Sequence, residues 1–268
     1  WARFYAATGE HRHATQALEK ALALALQQND HHNEAKCYIE QATINWRQGD
    51  FAAAQKGYLA ALSLAQQGNR YRDTYLDVVS EAHYGLGLVY RQQSRYEEAR
   101  NQLQQALATA ERLGDLQYEA RALNALGSVA NLQRDYAGAS GLFAQALEIR
   151  ETIGDRAGVG TSLMSLAQAY GYMGDYSRVE PLLHRALEIQ QAMQNRWDEM
   201  LELNELGILY TAVGQYEQAF VHLEQAMECS RIIESEIGAA YILCNLGQAQ
   251  RDAGHLDEAQ QTLLDGML

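Results

Sequence analysis

Apolar residues recur along the chain with the spacing of one helix face, and the helical stretches follow one another closely. In residues 11–28, for example, Ala14, Leu18, Ala21 and Leu22 fall on a single stripe. A short polar hinge separates each stretch from the next. The pattern predicts an all-α chain in which consecutive helices are joined by tight turns.

The same short sequence pattern occurs several times along the chain. Gly207 is followed three positions later by Tyr210, then by a polar hinge at Gly214, an aromatic residue and Ala219. The successive hinges are separated by 40, 45, 40, 40, 40 and 40 residues. They are Gly9, Gly49, Ser94, Arg134, Gly174, Gly214 and Gly254. This regularity predicts one repeat array over residues 1–268, with about six and a half units.

The repeated pattern resembles that of the tetratricopeptide repeat family. It appears as Leu206-Gly207-x2-Tyr210, followed after the hinge by Ala219-x3-Leu223. The resemblance implies a right-handed α-solenoid of antiparallel helix pairs, the tetratricopeptide superhelix. It also implies a non-catalytic scaffold that binds a protein or peptide in the concave groove formed by the first helices.

The period of 40 differs from the usual 34 residues of the family. It is similar to that of the Pins/LGN adaptors and of the sensor or arm regions of bacterial MalT-like and STAND regulators. The resemblance leaves two further functions open: the ligand-sensor arm of a STAND-type signalling ATPase or transcription regulator, and a structural or oligomerisation spacer. The chain starts at Trp1, and neither end carries a polar capping unit, which predicts a fragment of a longer chain or self-association through its ends.

The ends of the helices are marked by residues with known preferences. Gly114-Asp115 and Gly154-Asp155 place glycine just past one helix and aspartate at the start of the next. Ser94, with Glu97 three residues later, predicts a capping box.

One irregularity interrupts the repeats. Five extra residues lie between Gln67 and Glu81, with Arg70–Asp77 as their expected seat. They form either a tolerated loop or longer helix, or a projecting contact with two exposed tyrosines, Tyr71 and Tyr75.

Composition and charge narrow the classes of partner. The chain has 21 Lys and Arg against 34 Asp and Glu, a formal charge of −13, which argues against nucleic acid as a direct partner. Its apolar runs fall short of the roughly 20 residues that cross a bilayer, and no signal-peptide pattern is present. We therefore expect a cytoplasmic protein without membrane contact.

The residues that usually carry chemistry are scattered. Cys37, Cys229 and Cys244 show no CxxC spacing, and we expect three buried or half-buried thiols. His184 and His222 stand singly in different repeats, as do the other histidines outside the first helix region, so no metal site is predicted. Neither a catalytic grouping nor a cofactor motif emerges, and we expect no enzyme and no cofactor.

What remains is the surface of the first helices. A stripe about 100° from the packing stripe would line the groove. It carries four basic residues and one acid, Glu81, a net charge of +3 on a chain of −13, which favours an acidic-leaning peptide. The predicted groove residues are Lys36, Trp46, Tyr84, Arg91, Arg121, Asn124, Asn131, Gln168, Asn204 and Arg251.

Overall fold

The computed structural model describes residues 11–67 and 72–266, and within these ranges the chain is helical without any strand. Tight turns join antiparallel neighbours, and a 3-10 helix spans Arg72–Tyr75. The predicted all-α solenoid of helix pairs is confirmed. The helices are α1 (His11–Gln28), α2 (His31–Arg47), α3 (Phe51–Gln67), α4 (Leu76–Gln92), α5 (Tyr96–Leu113), α6 (Leu116–Leu132), α7 (Tyr136–Ile153), α8 (Arg156–Tyr172), α9 (Tyr176–Met193), α10 (Arg196–Ala212), α11 (Tyr216–Ile232), α12 (Glu236–Asp252) and α13 (Leu256–Asp265).

The chain divides into two compact units between Arg134 and Asp135. The first unit contains α1 to α6, in which consecutive helices pack on each other, and α4 also contacts α2 and α6. The core between these helices combines alanines, which allow close approach, with larger side chains that fill the remaining space. Its buried members include Ala35, Ile39, Ala42, Tyr58, Ala61, Val78, Ala82 and Leu86.

The second unit contains α7 to α13, again with each helix packed on the next, and α10 also contacts α12. Its main core lies among helices α8 to α12. The buried members include Leu183, Met200, Leu203, Leu206, Leu223 and Ile242. Within the described ranges, no helix combines the length and the apolarity needed to span a bilayer.

Glycines set the distance between the two helices of a repeat. A Cβ atom added to Gly207 in α10 would lie 2.5 Å from Cγ of Leu223 in α11, and one on Gly87 would meet Leu103 at the same distance. These leucines are buried, so they cannot move away freely. The small residue of the repeat pattern is therefore required by the packing.

We expect Gly207→Ala to lower the free energy of unfolding by about 1–2 kcal/mol, because Leu223 must be displaced. Gly141→Ala is the matched control, since Gly141 is exposed in the middle of α7 and its Cβ would meet nothing within 4 Å. That change should instead raise the free energy of unfolding by about 0.5–1 kcal/mol through helix propensity. Urea unfolding of both variants measures whether each substitution lowers or raises the free energy of unfolding. A stabilised Gly207→Ala would contradict the packing argument.

Left-handed residues mark the turns between helices. The hinge residues Gly49, Ser94, Arg134, Gly174, Gly214 and Gly254 all have φ between 59° and 89°. As predicted, Gly114 and Gly154 follow the last residues of α5 and α7, and both are left-handed. Asp115 and Asp155 accept hydrogen bonds from the first amides of the next helices.

The predicted capping box at Ser94 is wrong. Arg95 holds the N-cap position of α5 without a side-chain hydrogen bond, because Ser94 is itself the left-handed turn residue.

Within the expected seat of the five-residue irregularity, Arg72–Tyr75 form the 3-10 helix that precedes α4. Tyr75 is half-buried, and its ring meets that of His32 edge-on with a centroid distance of 5.4 Å. Of the two alternatives, the projecting contact with exposed tyrosines is therefore not supported at Tyr75. Arg70 and Tyr71 lie outside the described residues, as does the predicted hinge at Gly9.

Candidate functional site

In the first unit, helices α2, α4 and α6 line a cleft of about 450 Å³ together with Tyr58 of α3. We call it the arginine cleft. Its polar and charged lining alternates with aliphatic and aromatic side chains, as in many ligand sites. It is lined by Ile39, Glu40, Thr43, Ile44, Trp46, Arg47, Tyr58, Glu81, Tyr84, Gly85, Leu88, Tyr118 and Arg121.

Arg121 lies between two tyrosine rings in this cleft. Its guanidinium carbon is 4.6 Å from the centre of the Tyr84 ring and 4.7 Å from that of Tyr118. The two rings meet edge-on, with their centroids 6.4 Å apart. Burial, and then the negative charge of Glu81, raise the pKa of the Tyr118 phenol, so this hydroxyl stays protonated. The arrangement holds a charged guanidinium in a fixed, half-buried position.

The floor of the arginine cleft is built by Tyr58. A Cβ on Gly85 would collide with the Tyr58 ring, so this glycine makes room for the tyrosine. Oγ1 of Thr43 lies 3.0 Å from the Tyr58 hydroxyl oxygen. Trp46 also lines the cleft, and its indole N–H is buried without an acceptor among the described residues. Such an unsatisfied donor is uncommon in a folded protein.

The other predicted residues of the first unit lie outside this cleft. Nζ of Lys36 is 2.7 Å from Oδ2 of Asp77, and Oδ1 of the same carboxylate is 3.0 Å from Nε2 of His32. Burial alone would raise the pKa of Asp77, but the hydrogen bonds from Lys36 and His32 lower it below its ordinary value. Lys36 therefore links α2 to α4. Arg91 is half-buried on α4 and does not line the cleft.

Two predicted asparagines follow Arg121 on α6. The backbone carbonyl of Asn124 accepts a hydrogen bond from the Ser128 hydroxyl at 3.0 Å. The side-chain carbonyl oxygen of Asn131 is buried and accepts no hydrogen bond from the described residues. Neither asparagine is among the residues that line the arginine cleft.

A second cavity, of about 300 Å³, opens in the second unit between α8, α9, α10 and α12. We call it the tyrosine pocket. Half of its lining residues have aliphatic side chains, and the rest include three tyrosines and a single carboxylate. It is lined by Ala167, Gln168, Gly171, Tyr172, Tyr176, Val179, Leu183, Glu205, Ile208, Leu209, Ala212 and Tyr241.

The carboxylate of the tyrosine pocket belongs to Glu205. Nε2 of Gln168, one of the predicted groove residues, donates to Oε1 of Glu205 at 3.2 Å. Burial raises the pKa of Glu205 and the Gln168 hydrogen bond offsets part of that rise. Tyr172 stacks on Tyr136 with a centroid distance of 5.1 Å, which holds one pocket tyrosine in place.

The two remaining predicted residues are placed elsewhere. Asn204 is 1% exposed, and its Oδ1 accepts from Nδ2 of Asn245 at 2.8 Å, which joins α10 to α12. Its burial leaves little surface to offer to a ligand. Arg251 is exposed on α12 and pairs with the adjacent Asp252 at 3.0 Å.

Two histidines from different repeats contact each other. The ring centroids of His184 and His222 are 6.2 Å apart, and Tyr210 stacks on His222 at 5.2 Å. The Tyr210 hydroxyl donates to Glu180 at 2.8 Å. Burial, and then the charge of His184, lower the pKa of His222. The sequence places the two histidines in different repeats, and neighbouring repeats bring residues about 40 apart side by side.

The thiols and metal-ligating groups form no site in the described part of the chain. All three cysteines are free, and Cys244 is exposed, so the expectation of uniformly buried or half-buried thiols is wrong. No group of three or more His, Cys, Asp or Glu in the described ranges is arranged to hold a metal ion.

The prediction therefore found Trp46, Tyr84 and Arg121 in one cavity and Gln168 in the other. It missed Glu40, Arg47, Tyr118 and, in the second unit, Glu205 and Tyr172. Tyr118 could have been found, because it precedes Arg121 by three residues and thus lies next to it on the helix.

Known structures with similar folds are numerous. BtubC from P. vanneervenii has a TM-score of 0.71 at 22% identity, over 87% of this chain and 92% of its own. A STAND protein with a tetratricopeptide repeat sensor from Pyrococcus horikoshii has a TM-score of 0.75 at 15% identity, over 97% of this chain and 41% of its own. A Rap protein complexed with Competence and Sporulation Factor has a TM-score of 0.70 at 14% identity, over 95% of this chain and 70% of its own. These likenesses establish the fold.

Sequence comparison gives the family. No curated protein matches the chain. Two family models described as tetratricopeptide repeat do match, one at residues 78–152, 118–192 and 199–267 and the other at residues 39–112. Together these matches span most of the sequence. The chain is therefore a member of the tetratricopeptide repeat family.

Proposed function

We propose that this protein is a non-catalytic scaffold that binds a polypeptide along the faces of its first helices. The arginine cleft is the proposed anchor point in the first unit. The first helices α2, α4 and α6 present side chains to one cavity, as expected for a peptide that crosses successive repeats. The Rap protein among the structural neighbours, which was solved with Competence and Sporulation Factor, supports binding of this general kind.

Arg121 is the observation that carries the proposal. Its guanidinium contacts two tyrosine rings and, among the described residues, forms no ion pair with a carboxylate. A half-buried arginine held in this way keeps its hydrogen-bonding groups in a fixed orientation for a planar anion. We infer that an Asp or Glu side chain of the ligand binds there.

The basic and acidic residues that line the cleft are equal in number, so the cleft does not favour a highly acidic ligand. Arg47 and Arg121 are balanced in the lining by Glu40 and Glu81. Of the four basic residues counted on the predicted stripe, only Arg121 lines the cleft. We therefore propose a peptide with one or two acidic anchors in a mixed sequence, with the rest of its affinity coming from apolar and main-chain contacts.

A peptide selection tests this function. Peptides of about twelve residues displayed on phage would be selected against the wild-type protein, and the affinity of the enriched peptides measured by fluorescence anisotropy. We expect Asp or Glu at one fixed position and a loss of affinity of about tenfold in Arg121→Ala, the size of one charge-assisted hydrogen-bonded contact.

Lys56→Ala is the matched control, because Lys56 is exposed on α3, outside the cleft, and its loss changes the net charge equally. Equal binding by the wild type and Arg121→Ala would contradict the arginine cleft as the anchor point.

A second candidate function is a ligand-sensing region within a signalling ATPase. It is favoured by the similarity to the STAND protein, which covers nearly all of this chain but less than half of that protein. Sequencing the parent gene distinguishes the two functions. A nucleotide-binding domain encoded next to the repeats would favour the sensor.

A further inference from the structure

The tyrosine pocket has a charge that no neighbouring side chain balances. Glu205 is the single ionisable group of its lining apart from the tyrosines, and no lysine or arginine of the described residues lines the cavity. Among the described residues, the one hydrogen bond to the Glu205 carboxylate comes from the neutral amide of Gln168. A carboxylate that loses water without gaining a cation is destabilised in its ionised form.

The aromatic groups around Glu205 have the arrangement that favours organic cations. Tyr241 lies close enough for the charge of Glu205 to raise its pKa, after the larger effect of burial. Tyr172 and Tyr241 are exposed over 63% and 51% of their surface. Ring faces that remain accessible beside a carboxylate attract a cation through the ring quadrupole, in addition to the charge itself.

The aliphatic part of the wall indicates the shape of the occupant. Val179, Leu183 and Ile208 line the same cavity as the carboxylate. They would cover the methylene stem of a long basic side chain, while the carboxylate binds its head group. The cavity of about 300 Å³ is large enough for one such side chain.

We propose that the tyrosine pocket binds an organic cation, and specifically the arginine side chain of a polypeptide ligand. A guanidinium is planar, stacks on tyrosine rings and can donate two parallel hydrogen bonds to one carboxylate. The same chemistry already occurs within this protein, where Arg95, Arg121 and Arg178 each stack on a tyrosine. The proposal goes beyond the acidic anchor of the arginine cleft, because it assigns a basic specificity to a different cavity.

The test uses small probes, so that it does not depend on any peptide binding to the arginine cleft. Nα-acetyl-arginine amide would be titrated into protein labelled with ¹³C at the isoleucine δ-methyl groups, with Nα-acetyl-citrulline amide as the neutral isostere. Ile208 lines the pocket and reports binding there, and Ile208→Val identifies its signal. We expect the arginine probe to shift this signal at concentrations at least about tenfold below those needed for the citrulline probe.

Variants locate the interaction. Glu205→Gln is expected to lose at least about tenfold in affinity for the arginine probe and to leave the weak citrulline affinity unchanged. Glu188→Gln, an exposed carboxylate on α9 outside the pocket, should bind the arginine probe like the wild type. Circular dichroism and thermal unfolding check that both variants are folded.

Equal affinity for the two probes, or undiminished arginine binding by a folded Glu205→Gln, would overturn the proposal. Failure of this pocket would leave the proposed function intact, since Arg121→Ala tests the other cavity. Conversely, arginine binding here combined with no effect of Arg121→Ala would support this pocket alone.

Discussion

Glu202→Gln is expected to stabilise the protein by as much as about 4 kcal/mol at pH 7.5, the largest gain that we predict from a single substitution. Glu202 lies on α10 and is 1% exposed. Neither of its carboxylate oxygens has a hydrogen-bond partner among the described residues. Burial, and then the charges of Glu205 and Asp198, raise its pKa from 4.5 to about 9.

Comparison with the preceding repeat shows which residue pair Glu202 belongs to. One repeat earlier, Nη1 of Arg150 donates to Oγ of Ser162 at 2.7 Å. Gln190 and Glu202 occupy the same two positions 40 residues later, and the Gln190 amide oxygen is also buried without a donor among the described residues. A protonated carboxyl group or a glutamine amide at position 202 can donate a hydrogen bond, which an ionised carboxylate cannot.

The sign of the pH dependence follows from the raised pKa. The native state binds the Glu202 proton more tightly than the unfolded chain does. The contribution of this group to stability is therefore fully present below pH 4.5 and is lost progressively as the pH rises towards 9, by about 1.4 kcal/mol per pH unit. Glutamine has no proton to lose, so its advantage grows with pH.

Urea unfolding at pH 6 and pH 8.5 measures this difference. The gap between Glu202→Gln and the wild type should widen by about 3 kcal/mol between these values. Glu224→Gln removes an exposed carboxylate from α11, and its free energy of unfolding should change with pH in the same way as that of the wild type. Glu205 has a raised pKa as well, so some slope should remain in the Glu202 variant. If the free energies of unfolding of the wild type and Glu202→Gln changed equally with pH, ionisation of Glu202 would not destabilise the native state.

Asp155→Ala is expected to lower the free energy of unfolding by about 2–4 kcal/mol, through two effects at one site. Oδ1 of Asp155 accepts from the backbone amide of Gly158 at 2.9 Å and so caps α8. Oδ2 lies 3.9 Å from Nε of Arg150, whose side chain is buried and also donates to the Gly158 carbonyl oxygen at 2.8 Å. Without Asp155, a buried guanidinium loses its nearby negative charge.

Asp115→Ala separates these effects, because Asp115 caps α6 from the same position of the preceding repeat, where Ala110 replaces the arginine. Its loss should lower the free energy of unfolding by about 1 kcal/mol, the usual contribution of an N-cap. Asp155→Asn keeps an oxygen for the cap and should fall between the two alanine variants. Equal losses for Asp155→Ala and Asp115→Ala would mean that the charge beside Arg150 does not contribute.

Most of the fold could be predicted, because the features that determine it are local or periodic. Gly87 and Gly207 were recognisable as packing residues from their spacing alone, since every repeat must bring its two helices together. The seat of the five-residue irregularity could not be assigned a structure. It breaks the period, and the contacts of Asp77 with Lys36 and His32 are formed between residues far apart in the sequence.

The candidate site was only partly predictable, because a stripe along a helix is one residue wide and a cavity is wider. Asn204 and Glu205 are neighbours on α10, about 100° apart around the helix. The stripe selected Asn204, which is buried, and missed Glu205, which lines the tyrosine pocket. A small rotation of the helix decides between them, and that rotation depends on the packing of side chains from three other helices.

Turn residues with positive φ recur with half the period of the sequence repeat. From Ser94 to Gly254, a residue with positive φ occurs every 20 residues, alternating between the turns within and between repeats. If the sequence were shifted along this backbone by half a repeat, 20 residues, every left-handed turn would still coincide with another left-handed turn. The side chains differ between the two registers, because a slip of half a repeat would move Leu223 and its equivalents away from the glycines that they pack against. The glycines at the helix crossings therefore distinguish the native register from the shifted one.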